Sequence, residues 1–136
     1  MDVMEVNIIS PDNEVFSGKA HMVVIPGEEG YFAAMLDHAP TVTYLKPGKI
    51  EVFADDKIEQ GPIFFVGGGF VKVTSKKCLI MVDYIKKINE INIKENQEKI
   101  ENLKNKAESE TNDLEKRNII NKINILESEI GITKDN

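Results

Sequence analysis

The chain has 136 residues, a formal net charge of −6, 41% hydrophobic residues and a single cysteine. That length allows one or two small domains, and the acidic balance excludes a surface built to neutralise nucleic-acid phosphates. One cysteine excludes an internal disulfide and suits a reducing compartment.

At the start, Val3, Glu5, Asn7 and Ile9 alternate with Met4, Val6 and Ile8, a strand pattern that Ser10-Pro11-Asp12-Asn13 turns. Asp2 and Glu5 stand where a secretory leader would be basic, so no leader is expected. Val15-Phe16 leads through Ser17-Gly18 to the apolar run 21–25, which Pro26-Gly27 ends. From Glu28 to Pro40 the chain reads as a long loop, and Lys46-Pro47-Gly48 turns it again. The segment 49–53 alternates cleanly, and Ala54-Asp55-Asp56-Lys57 has the residues of a hairpin turn. The runs 63–66 and 79–82 suit strands buried on both faces. Between them, Gly67-Gly68-Gly69 precedes Phe70-Val71-Lys72-Val73-Thr74, a strand pattern. Glycines in that position mark a bulge or a close backbone approach where a Cβ would not fit. Cys78 lies in an apolar run and reads as a small buried hydrophobe. No apolar stretch approaches the about 20 residues that a membrane helix needs.

The composition changes at Tyr84. All five prolines, eight of the nine glycines and every aromatic lie at or before it. Residues 1–84 hold 7 basic and 12 acidic groups, residues 85–136 hold 10 and 11, and the two net charges of −5 and −1 add to the total of −6. The second half carries helical periodicity. Ile93, Gln97, Ile100, Leu103 and Ala107 fall on one face, and the pattern breaks over 108–112. Asn112 followed by Glu115 suggests a capping box opening a second helix. There Lys116, Ile119, Ile120, Ile123, Leu126 and Ile130 form the stripe, and Gly131 reads as the stop. The expected architecture has two domains. Residues 1–84 form a flattened β-sandwich or barrel of short, mostly antiparallel strands. Residues 85–136 form an antiparallel two-helix hairpin. The hairpin is rich in asparagine, a poor helix interior residue. It is expected to be marginal alone and to lean on another surface, a condition for acting as a switch.

Catalysis is not expected. His21 and His38 stand in no nucleophile or acid–base motif, and no zinc-ligand spacing is present, so no catalytic residue, metal or cofactor is expected. The triple glycine lacks the Gly-Lys-Ser/Thr and the following helix of a phosphate loop.

The blocks Gly27 to Gly48 and Phe64 to Val73, in this order and spacing, resemble the epsilon subunit family of bacterial F-type ATP synthases. Glu28-Glu29-Gly30, His38-Ala39-Pro40, Lys46-Pro47-Gly48 and Gly68-Gly69-Phe70 match its motifs as they stand. Tyr31 stands where that family usually has an acid, Ala33 replaces Gly, and Leu36-Asp37 replaces Pro-Gly. These departures predict a different turn geometry there.

The resemblance implies a noncatalytic central-stalk subunit that couples proton-driven rotation to ATP synthesis, with its hairpin restraining ATP hydrolysis. It implies contact of Glu28, Glu29, Gly30, Asp37 and His38 with the ring of membrane c subunits. Gly67, Gly68, Gly69 and Phe70 would meet the gamma stalk. Lys104, Lys116, Arg117 and Lys122 would meet the catalytic beta subunits when the hairpin extends. The location implied is peripheral, on the cytoplasmic face of the bacterial plasma membrane, with the membrane reached only through partners.

Some family members bind ATP where the first helix begins, through an acid and an arginine. Here Asn92 replaces the acid, Glu95 the arginine and Asn96 an alanine, so no ATP binding is expected. Read without the resemblance, the same sequence also fits an independent β-sandwich adaptor with a coiled-coil handle.

Overall fold

The structure, a computed structural model, describes residues 3–54 and 60–134. Ten strands occupy the first part: β1 (Met4–Ile9), β2 (Glu14–Ala20), β3 (Met22–Gly27), β4 (Gly30–Met35), β5 (Thr41–Leu45), β6 (Gly48–Phe53), β7 (Gln60–Val66), β8 (Gly69–Val73), β9 (Lys77–Val82) and β10 (Ile85–Lys87). Two helices follow, α1 (Ile93–Ser109) and α2 (Asp113–Lys134). The chain forms two compact units that part between Ile88 and Asn89.

The head is a curled β-sandwich whose strands hydrogen-bond in the order β10-β7-β6-β3-β5-β8-β9-β1-β2, with β4 on β3. β3 is where the sheet divides. Its first half pairs with β6 (Met22↔Phe53 to Val24↔Glu51), while its end turns to β5 (Gly27↔Leu45). Every pairing is antiparallel except β1 with β9 (Glu5↔Lys77 to Ile9↔Met81).

Alternation decides what lies inside. Met4, Val6 and Ile8 of β1, Val23 and Ile25 of β3, Ile50 and Val52 of β6, Val71 and Val73 of β8, and Cys78, Ile80 and Val82 of β9 share one core with Phe64 and Val66 of β7. A strand's period of two sends every second side chain to that core and the intervening ones outward. β7 is buried on both faces, as its sequence predicts, since Phe64, Phe65 and Val66 are all covered. β9 is not. It alternates, and Met81 is 39% exposed. The difference matters for the docking face described below.

The domain division expected at Tyr84 falls short by one strand. Residues 85–87 pair with β7 (Ile85↔Val66, Lys87↔Phe64), and Ile85 packs against the head core. The turn expected at 54–57 lies largely outside the described residues.

In the second unit, Ile100, Ala107, Ile119 and Ile123 make a small core, joined by Leu103, Leu126 and Ile130. Both helices open on an asparagine. Asn92 Oδ1 accepts the Glu95 N–H at 3.0 Å and Asn112 Oδ1 accepts the Glu115 N–H at 3.0 Å. The box at Asn112 is only half formed, because its own N–H donates to Glu110 Oε1 at 3.0 Å. Two expectations are corrected. Gln97 is exposed and Asn96 takes the inward position, which continues the i, i+4, i+7 row to Ile100 and Leu103. Gly131 does not stop α2, which runs on to Lys134; one exposed glycine costs about 1 kcal/mol, too little to end a 22-residue helix.

Candidate docking face

The outward positions of four neighbouring strands line up. Tyr44 of β5 stands opposite Phe70 of β8, Phe70 opposite Met81 of β9, and Met81 opposite Ile9 of β1. Directly paired residues point to the same face, so these four side chains form one row across the sheet, about 14 Å from end to end at ordinary strand spacing. Val42 flanks the row on β5. Exposure is high for Val42 (70%) and Tyr44 (69%) and substantial for Met81 (39%) and Phe70 (37%). Isolated surface hydrophobes are ordinary. A contiguous apolar row on a rigid sheet marks a protein-docking surface.

Gly67, Gly68 and Gly69 position Phe70 in this row. The Gly67 N–H donates to the Tyr84 carbonyl at 3.0 Å, and the Asp83 N–H donates to the Gly68 carbonyl at 3.1 Å. Gly68 and Gly69 both have φ of 139°, a conformation that side chains rarely adopt. At Gly69 a Cβ would run into the Met81 carbonyl. The glycines therefore serve close backbone approach, and of the four residues expected at the stalk only Phe70 offers a side chain. A strand follows them, so no helix N-terminus is available to hold a phosphate.

The segment read as a long loop is a hairpin. β4 pairs with the whole of β3 (Met22↔Met35 to Gly27↔Gly30) around a two-residue turn at Glu28-Glu29. This separates the five residues expected at the c ring. Glu28, Glu29 and Gly30 sit at one end of β4, whereas Asp37 and His38 lie beyond the other, about 17 Å away along the strand. Glu28 is fixed beside the apolar row, its N–H donating to the Tyr44 carbonyl at 2.9 Å. Asp37 and His38 are held in their own turn. The Asp37 N–H donates to the Ser75 carbonyl at 2.7 Å, the His38 N–H to the Met35 carbonyl at 3.0 Å, and His38 Nδ1 to the Ala39 carbonyl at 2.7 Å.

Asp37 has φ of 66°, a left-handed conformation that aspartate tolerates and glycine adopts freely. Aspartate at this position therefore fits the conformation that a glycine would adopt there. Tyr31 has its own role, accepting the Lys49 N–H on its hydroxyl at 3.0 Å. Its neighbour across the strands is Pro26, which has no N–H to give to a sheet. Tyr31 thereby ties β6 to the hairpin where β3 turns towards β5.

In the hairpin unit Lys104, Lys116, Arg117 and Lys122 are exposed, and none joins an ion pair among the described residues. Asn92 is occupied as a helix cap, and Glu95 pairs with Lys99 at 3.6 Å. Asn96 and Glu129 are buried polar residues that periodicity did not single out. Cys78 is buried, and desolvation pushes its thiol from the ordinary 9.0 up to about 12, so it is unreactive at neutral pH. Among the described residues no group of three or more His, Cys, Asp or Glu could hold a metal ion, and no helix is long and apolar enough to cross a membrane.

Residues 3–88 match the family model of the ATP synthase, Delta/Epsilon chain, beta-sandwich domain. The chain is 29% identical over 119 residues to the ATP synthase epsilon chain of Rhodospirillum centenum, covering 85% of this chain and 82% of that one. It is 35% identical over 100 residues to the ATP synthase epsilon chain of Gluconacetobacter diazotrophicus, covering 74% and 70%. Its fold resembles a chain in a cryo-EM structure of the Euglena gracilis mitochondrial ATP synthase, with a TM-score of 0.77 at 18% identity over 94% of this chain and 79% of that one. A family match across the entire head, with relatives that continue past it, settles the kinship: this chain belongs to the ATP synthase delta/epsilon family.

Proposed function

We propose that this chain is a noncatalytic subunit of the central stalk of an F-type ATP synthase. Its head docks on the gamma subunit and on the c ring, so that rotation driven by protons is transmitted to the catalytic hexamer. The bonds made and broken in ATP synthesis belong to other chains, and this one contributes interface free energy. The observation that carries the reading is the exposed apolar row Tyr44–Phe70–Met81–Ile9 on the head of a chain from this family. Co-purification tests it. The wild-type chain is expected to retain the gamma subunit, and Phe70→Asp to lose it while the head stays folded. Retention by Phe70→Asp would remove the docking role of the face. Absence of the gamma subunit from the wild-type pull-down would favour the free-standing adaptor.

The c-ring contact falls to the hairpin tip. Glu29 is exposed and makes no ion pair among the described residues, whereas Glu28 stands beside the apolar row and Asp37 and His38 are engaged in their own turn. The subunit is then peripheral, on the cytoplasmic face of a bacterial plasma membrane and held there by its partners.

The hairpin restrains ATP hydrolysis by extending towards the beta subunits, with the exposed Lys104, Lys116, Arg117 and Lys122 meeting them. Removing the residues beyond Glu90 is expected to raise ATP hydrolysis by the assembled enzyme, and an unchanged rate would leave only the coupling role. The isolated chain is expected to show no ATP binding in a calorimetric titration, because Asn92 and Glu95 already serve the helix. Micromolar affinity would refute this.

A further inference from the structure

We propose that the docking face recognises two basic side chains, one on each side of Phe70, with Glu28 and Asp83 as their counter-charges. The inference rests on the stalk reading above and specifies the chemistry of the partner. Phe70 separates two open hollows of similar size, about 390 Å³ and about 300 Å³, so it acts as a divider between two bays. The first is walled by Val42, Tyr44 and Phe70, and Glu28 lines it too. The second is walled by Ile9, Pro11, Met81 and Phe70, and Asp83 lines it too. Each bay therefore combines apolar walls with a single carboxylate.

That combination matches a lysine or arginine. The aliphatic stem of such a side chain packs on apolar surface while its charged head pairs with an acid. Tyr44 and Phe70 add aromatic faces, on which a cation is further stabilised. Glu28 and Asp83 are exposed, and neither makes an ion pair among the described residues. Lys72 on the same face lies one row away, opposite Val42 and Leu79, and lines neither bay.

The energetic argument runs through desolvation. A partner that covered the apolar row without supplying cations would take both carboxylates out of water unpaired, at a cost that opposes docking. A partner carrying two bases at the right separation removes that cost. The acidic head, with 9 basic and 12 acidic groups over residues 1–88 and so a net charge of −3, also steers a basic surface towards the face.

The test is the affinity of the gamma subunit for the full chain, measured against salt concentration, for the wild type, Glu28→Gln, Asp83→Asn and the charge reversals Glu28→Lys and Asp83→Lys. Each neutral variant is expected to weaken binding and flatten the salt dependence. Each reversal is expected to weaken it by about tenfold or more. Unfolding midpoints should not move, because both side chains are exposed. Neutral variants that bind with wild-type affinity and wild-type salt dependence would overturn the two-base proposal and leave the stalk reading intact. A wild-type chain that does not bind the gamma subunit at all would overturn both.

Discussion

The head and the hairpin reach order by different means. In the head, seventeen buried residues from nine strands form one cluster, and the strands alternate so regularly that the register is fixed. In the hairpin, four buried apolar residues do the same work for two helices, Leu114 (64%) and Ile120 (44%) stay exposed, and two polar side chains are buried. The lesson is one of division. The head's single dense core suits the load-bearing part proposed above, whereas the hairpin's small core is what the proposed exchange of partners requires.

Substitutions can break or sharpen this contrast. The largest effect is expected at Phe64, fully buried in the head. Phe64→Ala should cost about 3–5 kcal/mol, read as a lowered midpoint of urea unfolding followed by near-ultraviolet signal from the head. Ile123→Ala removes one of the four hairpin core residues. It should lower hairpin stability by about 2 kcal/mol, seen as lost helical signal at 222 nm at a denaturant concentration that leaves the head folded. A simultaneous loss of head signal would show that the two units unfold as one.

A third effect depends on pH. Since burial raises the Cys78 thiol to about 12 in the folded chain, the unfolded state releases that proton first as pH rises. Above about pH 9, stability should therefore fall, by up to about 1.4 kcal/mol per pH unit until the folded thiol also ionises. Cys78→Ser should remove that component of the slope. The smallest effect is expected at the α1 cap, where Asn92→Ala should cost the hairpin about 1 kcal/mol and leave the head untouched. Amide exchange at Glu95, whose N–H the cap accepts, would report it.

What the sequence revealed, and what it hid, follows the same physics. The strands of β1 and β6 are plain in their alternation, and the glycines before Phe70 announce a close approach that Gly69 does make. β4 was hidden because Tyr31-Phe32-Ala33-Ala34-Met35 has small residues and lies among glycines and prolines, the usual marks of a loop. β10 was hidden by Lys86-Lys87, which read as the start of the polar half. Periodicity does not separate Asn96 from Gln97, because both are polar and the two positions are adjacent on the helix. The docking row could not be read at all from single strands. Tyr44, Phe70, Met81 and Ile9 are far apart in sequence, and only the strand register brings them side by side. The same holds for Glu28 and Asp83, which flank Phe70 on its two sides.

The parallel pairing of β1 with β9 bears on how the chain comes to be made. β1 emerges first during synthesis, yet one of its two edges has no partner until the residues after Lys77 have been added. Closing so long a span is slow, because the entropy of the loop is lost before the contact is gained. The β1–β2 hairpin must therefore wait with one open edge, and an open edge invites pairing with foreign strands. Newly made chains are thus most vulnerable to aggregation in the interval before β9 arrives, and anything that hastens its arrival or shields the first hairpin should raise the yield of folded protein.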